Sequence, residues 1–268
     1  MIANVQVVVP GGPATLVVID FQRFDGQSSL ARDVAAAAPA GWSVVRMDPV
    51  RDLASAPAMD IGDLTRSYAE ALHDVDPESA IVVGFCNAST VAIELARTWA
   101  GALAWVVDPT WTDDDVLRAE VVDAHERVAG HPLSSAEVDV SPVGRLDRLV
   151  DGLDASLAQL ARAEDWDEDL LDTMRTELLP LYRGWFSLLS LSALTGAPGD
   201  HCVMDRAELG GRLRALVTES HGASGDGGPR VVTRLVIDQA RRKPHAVAVS
   251  DAERTLTYAQ LLATAAVR

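Results

Sequence analysis

An α/β fold is predicted for this chain, and three observations predict it. Apolar, β-branched runs recur through the first half, helix-like segments separate them, and one run passes straight into a helix through a turn of small residues. With 48% apolar residues over 268 positions the chain can bury a full core, and one principal domain is expected.

The runs are Val5-Gln6-Val7-Val8-Val9, Thr15-Leu16-Val17-Val18-Ile19, Trp42-Ser43-Val44-Val45-Arg46, Ala80-Ile81-Val82-Val83 and Leu103-Ala104-Trp105-Val106-Val107. Near-continuous apolar strands of this length predict a mostly parallel sheet covered on both faces. Between them, Leu30 to Ala38, Ile61 to His73 and Thr90 to Ala100 read as helices. From Asp113 to Phe186 the pattern turns to charged amphipathic helix, with Leu153, Leu157, Leu160 and Ala161 on one face, which predicts an inserted helical lid over about residues 113–186. Trp166, Leu181, Tyr182 and Trp185 either line a pocket or pack that lid, and packing is the expected use of each. The Gly- and Ser-rich stretch 218–229 reads as a linker, so the first domain is placed at 1–217 and a second unit at 230–268.

Charge removes two classes of partner. Acidic residues outnumber basic ones 39 to 23, giving a formal charge of −16, which is unsuited to nucleic acid or to an anionic membrane surface. No apolar run reaches the length of a membrane span and Met1-Ile2-Ala3-Asn4 does not open a secretory signal, so a soluble cytoplasmic protein is expected. Two cysteines, Cys86 and Cys202, do not make a disulfide framework. No metal-ligand spacing is present.

The most informative segment is Ile81-Val82-Val83-Gly84-Phe85-Cys86-Asn87-Ala88-Ser89-Thr90. An apolar strand meets a helix through Gly-x-Cys-x-Ala, the context of a nucleophile elbow: Gly84 and Ala88 must be small because the turn brings flanking backbone close, and Cys86 projects outward from the bend. The helix that follows directs its N-terminal N–H groups at the sulfur, and the Asn87 N–H is one candidate oxyanion donor. A buried structural cysteine is the alternative. A nucleophile of this kind needs a base and the base an orienting carboxylate, in the chain order nucleophile, acid, histidine. Asp108, at the end of Trp105-Val106-Val107, and His201, in the turn-rich stretch 195–201, keep that order. An Asp before Pro109 also serves simply as a turn residue. His73, His125, His131 and His221 fall in polar stretches and read as surface residues, His245 lies beyond the linker, and Cys202 reads as a small apolar side chain where a helix begins.

Taken together, Val-Gly-Phe-Cys-Asn-Ala around Cys86, Val-Val-Asp ending at Asp108, and Pro198-Gly199-Asp200-His201 followed by Leu209 to Val217 resemble the nucleophile, acid and histidine blocks of the thioesterase domains of nonribosomal peptide and polyketide synthases. The resemblance implies an α/β-hydrolase-like, mostly parallel sheet with a helical lid insertion, and a Cys86-His201-Asp108 triad with Cys where that family usually has Ser. Val236 to Val249 with Thr255-Leu256-Thr257-Tyr258-Ala259-Gln260-Leu261 resembles the opening of an amino-acid adenylation domain, without its ATP-binding motifs. Two departures stand out. The family's Gly-rich oxyanion loop is replaced by Ile19-Asp20-Phe21-Gln22-Arg23-Phe24-Asp25-Gly26, leaving the N–H of Phe21 or Gln22 as second donor, and little room remains after the lid, which suggests a shortened sheet.

The resemblance implies no bound cofactor. Its substrate arm is the phosphopantetheine of an acyl- or peptidyl-carrier protein, and its partners are that carrier and the downstream adenylation domain. Three activities are compatible with it: transfer of an acyl or aminoacyl group through an acyl-S-enzyme, editing hydrolysis by the same residues, or a catalytically inactive docking domain. Arg145 and Arg148 are the expected basic patch for an acidic carrier.

Overall fold

The computed structural model describes residues 3–21, 29–56, 59–99, 102–130, 133–134, 138–140, 145–195, 201–222, 247–250 and 255–257. Its principal feature is a six-stranded sheet of β1 (Val5–Val9), β2 (Thr15–Ile19), β3 (Ser43–Met47), β4 (Ala80–Phe85), β5 (Leu103–Val107) and β6 (Cys202–Met204), in the order β1-β3-β2-β4-β5-β6. β1 runs antiparallel to β3; the other pairings are parallel. Every residue of β2 and β4 is buried, as expected of central strands covered on both faces, whereas edge strands β1 and β6 expose Val7 and Val203. The fold is α/β, with a mixed, mostly parallel sheet.

The helices are α1 (Leu30–Ala37), α2 (Pro49–Ser55), α3 (Ile61–Ala71), α4 (Ser89–Thr98), α5 (Asp114–Ala129), α6 (Arg145–Ala163), α7 (Glu168–Thr195) and α8 (Arg206–Gly222). The acidic composition is put to structural use at their starts. Asp48, Asp60, Asp113 and Asp205 each precede a helix and accept a backbone N–H from its first turn, at 3.3, 2.7, 2.8 and 2.7 Å. α8 continues to Gly222, so residues 218–222, assigned to the linker by composition, are helical, and 223–229 lie outside the described residues. Of the segment 230–268 the structure describes an antiparallel pair, β7 (Val247–Ser250) with β8 (Thr255–Thr257).

The inserted helices are α5, α6 and most of α7. α7 continues beyond the expected end of the lid, and its second half is core: Tyr182, Trp185, Phe186, Leu188 and Leu189 are buried. α7 also packs so closely on α2 that a Cβ on Gly184 would lie 1.9 Å from the Val50 carbonyl oxygen. Tyr182 and Trp185 therefore pack, as expected, with Tyr182 against Phe186 and Trp185 against Phe21.

Two expectations about surface charge are corrected. Arg145 is not part of an exposed patch: its side chain is 7% exposed and its Nη2 lies 3.0 Å from Asp114. Its neighbour Arg148 pairs with Asp139 at 3.1 Å. His125, read as a surface residue, is buried, with Nδ1 2.8 Å from the Ser156 hydroxyl. In both cases a partner distant in sequence makes burial of the polar group tolerable. Among the described residues no helix is long and apolar enough to cross a membrane, and no group of three or more His, Cys, Asp or Glu is placed to hold a metal ion.

Candidate active site

The parallel register brings the ends of four strands to one edge of the sheet. Ile19 pairs with Gly84, Phe85 with Val107 and Val107 with Met204, so Asp20, Cys86, Asp108 and Asp205 all follow strand ends on the same side. This is the edge where open α/β sheets place their sites.

Cys86 has a φ of +52°, a region that L side chains avoid, and opens a short 3₁₀ turn, Cys86–Ala88, between β4 and α4. The surrounding packing enforces the bend. A Cβ on Gly84 would sit 2.5 Å from the Ala92 Cβ and 2.8 Å from the Ser89 Cα, which explains the glycine two residues before the sulfur. Cys86 and Asn87 are both buried. The thiol donates to Asn87 Oδ1 at 3.1 Å and to Thr110 Oγ1 at 3.4 Å. Asn87 Nδ2 donates in turn to Thr112 Oγ1 at 2.8 Å and to the Thr110 carbonyl at 3.3 Å, and its own carbonyl accepts the Ser192 hydroxyl of α7 at 3.2 Å.

Asp108 sits beside Cys86 on the neighbouring strand end, with a φ of +44°. Its ionic neighbour is Arg206, whose Nε is 4.0 Å from Oδ2. Arg206 begins α8 directly after the β6 end; its guanidinium carbon lies 4.6 Å over the Phe85 ring and its Nη1 is 3.4 Å from Asp33. A cation therefore occupies the junction after the last strand.

His201 is placed differently. It precedes Cys202, which pairs with Trp105, so it stands at the starting end of β6, on the order of 10 Å back along the strands from the level of Asp108. Its ring meets Trp111 edge-on, with centroids 5.5 Å apart. The elbow and Asp108 are thus brought together by the sheet, while the imidazole is not hydrogen-bonded to the sulfur or to the Asp108 carboxylate.

Of the two residues expected to supply the second oxyanion donor, Gln22 lies outside the described residues and Phe21 is buried, its ring between Phe85 at 6.5 Å and Trp185 at 4.8 Å. The departure in sequence before it has a structural reason. Asp20, fully buried, accepts the Ser29 hydroxyl at 2.6 Å, the Ala31 N–H at 2.9 Å and a hydrogen bond from Arg46, so it fastens the end of β2 to the start of α1. Arg46 also pairs with Asp48 at 2.9 Å. Burial alone would lower the Arg46 pKa, but the charges of Asp20 and Asp48 outweigh it and hold it above the usual value. Burial raises the Asp48 and Asp52 carboxyls, partly offset by Arg46 and by the Tyr68 hydroxyl respectively. Burial and the adjoining Asp52 push the Tyr68 phenol well up.

Sequence reasoning missed the Asn87 side chain, Thr110, Thr112 and Arg206. A local signal existed for two of them, because Thr110 and Thr112 follow the Val-Val-Asp strand end within four residues.

No protein-family model and no curated protein sequence matches the chain. Solved structures show weak likeness. The wild-type Vlm2 thioesterase domain aligns at 15% identity over 84% of this chain and 86% of that one, with a TM-score of 0.37. A hydrolase from Oleispira antarctica aligns at 11% over 81% and 83%, with a TM-score of 0.38. Against a structure described as m3DLH the identity is 18% and the TM-score 0.28, and the chain spans 55% of that structure's length. Likenesses this weak leave the fold to be read from the sheet itself.

Proposed function

We propose that the chain is a thioesterase-like acyl or aminoacyl transferase acting on carrier-protein thioesters in nonribosomal peptide biosynthesis, with Cys86 as the residue that receives the acyl group. The observation that carries this reading is the positive φ of Cys86 at a strand-to-helix bend. Backbone strain at a residue other than glycine costs about 1–3 kcal/mol, persists only where the surrounding structure enforces it, and clusters at active sites. The sequence blocks around Cys86, Asp108 and His201 supply the substrate class.

In the reaction the Cys86 sulfur attacks the carbonyl of a thioester on a carrier's phosphopantetheine arm. The carbon–sulfur bond to the arm breaks, and the departing pantetheine thiol leaves with the proton given up by Cys86. The acyl-S-enzyme is itself a thioester, so attack by a second carrier thiol reverses the sequence at nearly equal energy. Cysteine suits such shuttling better than serine, whose ester lies lower in energy. The Asn87 N–H stabilises the developing oxyanion, with the Phe21 or Gln22 N–H as the second donor. His201 is the base and Asp108 its orienter; this requires the imidazole to leave Trp111 and approach the sulfur, and Asp108 to exchange Arg206 for it. Release to water in place of a second thiol would make the same site an editing hydrolase.

A second reading, a docking domain without catalysis, is favoured by one observation: the cation Arg206 beside Asp108, with His201 at the far end of β6. A two-carrier assay separates the readings. The domain is mixed with an acyl-loaded carrier and an empty one, and the mass of each is followed. Transfer in the wild type, lost in Cys86→Ala and slowed about a hundredfold or more in His201→Ala, supports the transferase. Movement of the acyl group only to water identifies the hydrolase, and carrier binding without acyl movement identifies the docking domain.

A further inference from the structure

We propose that Asn87 and Thr112 are positioning residues that hold the Cys86 sulfhydryl toward the loop between β5 and α5, so that this loop sets how readily the thiol reacts. The juxtaposition is specific. The thiol donates to Asn87 Oδ1 at 3.1 Å and to Thr110 Oγ1 at 3.4 Å, and both acceptors depend on residues 110–112.

The orientation of the Asn87 carboxamide follows from its partners. The Thr110 carbonyl 3.3 Å away can only accept a hydrogen bond, so the group facing it is the NH2; that same NH2 donates to the Thr112 hydroxyl at 2.8 Å. With both amide hydrogens committed to the loop, Oδ1 is turned to the sulfur. An amide oxygen and a hydroxyl orient a thiol but do not take its proton at neutral pH, so they restrain the sulfur without activating it. Asn87 is buried, and its main-chain carbonyl accepts the Ser192 hydroxyl of α7, so the holding residue is itself fixed from the helical insertion. Any movement of the 110–112 segment, such as entry of an acyl arm along the sheet edge, releases the sulfur.

The acyl-transfer reading gives this hold its catalytic meaning, but the hold can be measured without an acyl donor. The whole chain is treated with methyl methanethiosulfonate, and the rate of modification is read at the Cys86 peptide by mass, which separates it from Cys202. Thr112→Val keeps the side-chain shape and removes the carboxamide's shorter partner; it is expected to raise the Cys86 rate about threefold or more, the scale of one ordinary hydrogen bond. Thr112→Ser, which keeps the hydroxyl, is expected to stay near the wild-type rate. If Thr112→Val does not retain the wild-type circular dichroism, Thr110→Val, at an exposed position, carries the same expectation. A smaller change, a slower rate, no modification in any variant, or Thr112→Ser behaving as Thr112→Val overturns the proposal. A wild type inert to acyl-carrier thioesters that still shows the Val and Ser contrast removes the transferase reading and leaves the hold standing.

Discussion

Two strand-to-helix junctions lie on the same edge of the sheet, and they are built on opposite principles. At the first, β4 enters α4 through Phe85-Cys86-Asn87-Ala88, which is buried and strained, with the thiol bonded to a neighbouring loop. At the second, β6 enters α8 through Met204-Asp205-Arg206. There an ordinary aspartate cap closes the helix and an arginine 35% exposed at its side chain spreads over Phe85. One junction thus holds a buried, strained thiol while the other carries a fixed charge. The difference teaches that strand register decides which residues meet: Cys86 and Asp108 share an edge because the register of β4 and β5 puts them there, and His201 is held back by the pairing of Cys202 with Trp105.

The contrast can be broken by substitution. Gly84→Ala attacks the strained junction where backbone and a short side chain cannot retreat, and it is expected to cost about 3 kcal/mol in denaturant unfolding. The strain itself is isolated by comparing Cys86→Gly with Cys86→Ala. Both remove the sulfur, but only glycine accepts a φ of +52° freely, so Cys86→Gly should be the more stable of the two by about 1.5 kcal/mol. Equal stabilities would mean that the bend is relaxed. At the second junction Asp205→Ala removes only the acceptor for the Glu208 N–H. A loss of about 1 kcal/mol is expected there, with no effect on Cys86 reactivity.

How much of this was legible in the sequence depends on how locally each feature is determined. β2 and β4 were readable because a strand buried on both faces must be apolar throughout, and the elbow was readable because the Gly84, Cys86 and Ala88 spacing is a local steric requirement. β6 was not. Three residues, with Val203 half exposed on an edge, carry no period to detect, and without β6 the loop around His201 could be imagined on either side of the sheet. α2 escaped for the same reason of length, although Asp48 and Pro49 mark its start. Arg145 and His125 were read from local polarity as surface groups, and only the fold supplies Asp114 and Ser156 as partners. The thiol's own environment was beyond local reading as well, because Asn87 meets residues 23 and 25 positions downstream through side chains whose direction no spacing fixes.

The measurement closest to the central claim is the mass of the protein after brief exposure to an acyl-loaded carrier, followed by mapping of the modified peptide. A gain equal to the acyl group, located on the peptide containing Cys86 and absent from Cys86→Ala, is the predicted result. No gain with any acyl-carrier thioester, or a gain that persists when Cys86 is replaced, would contradict it.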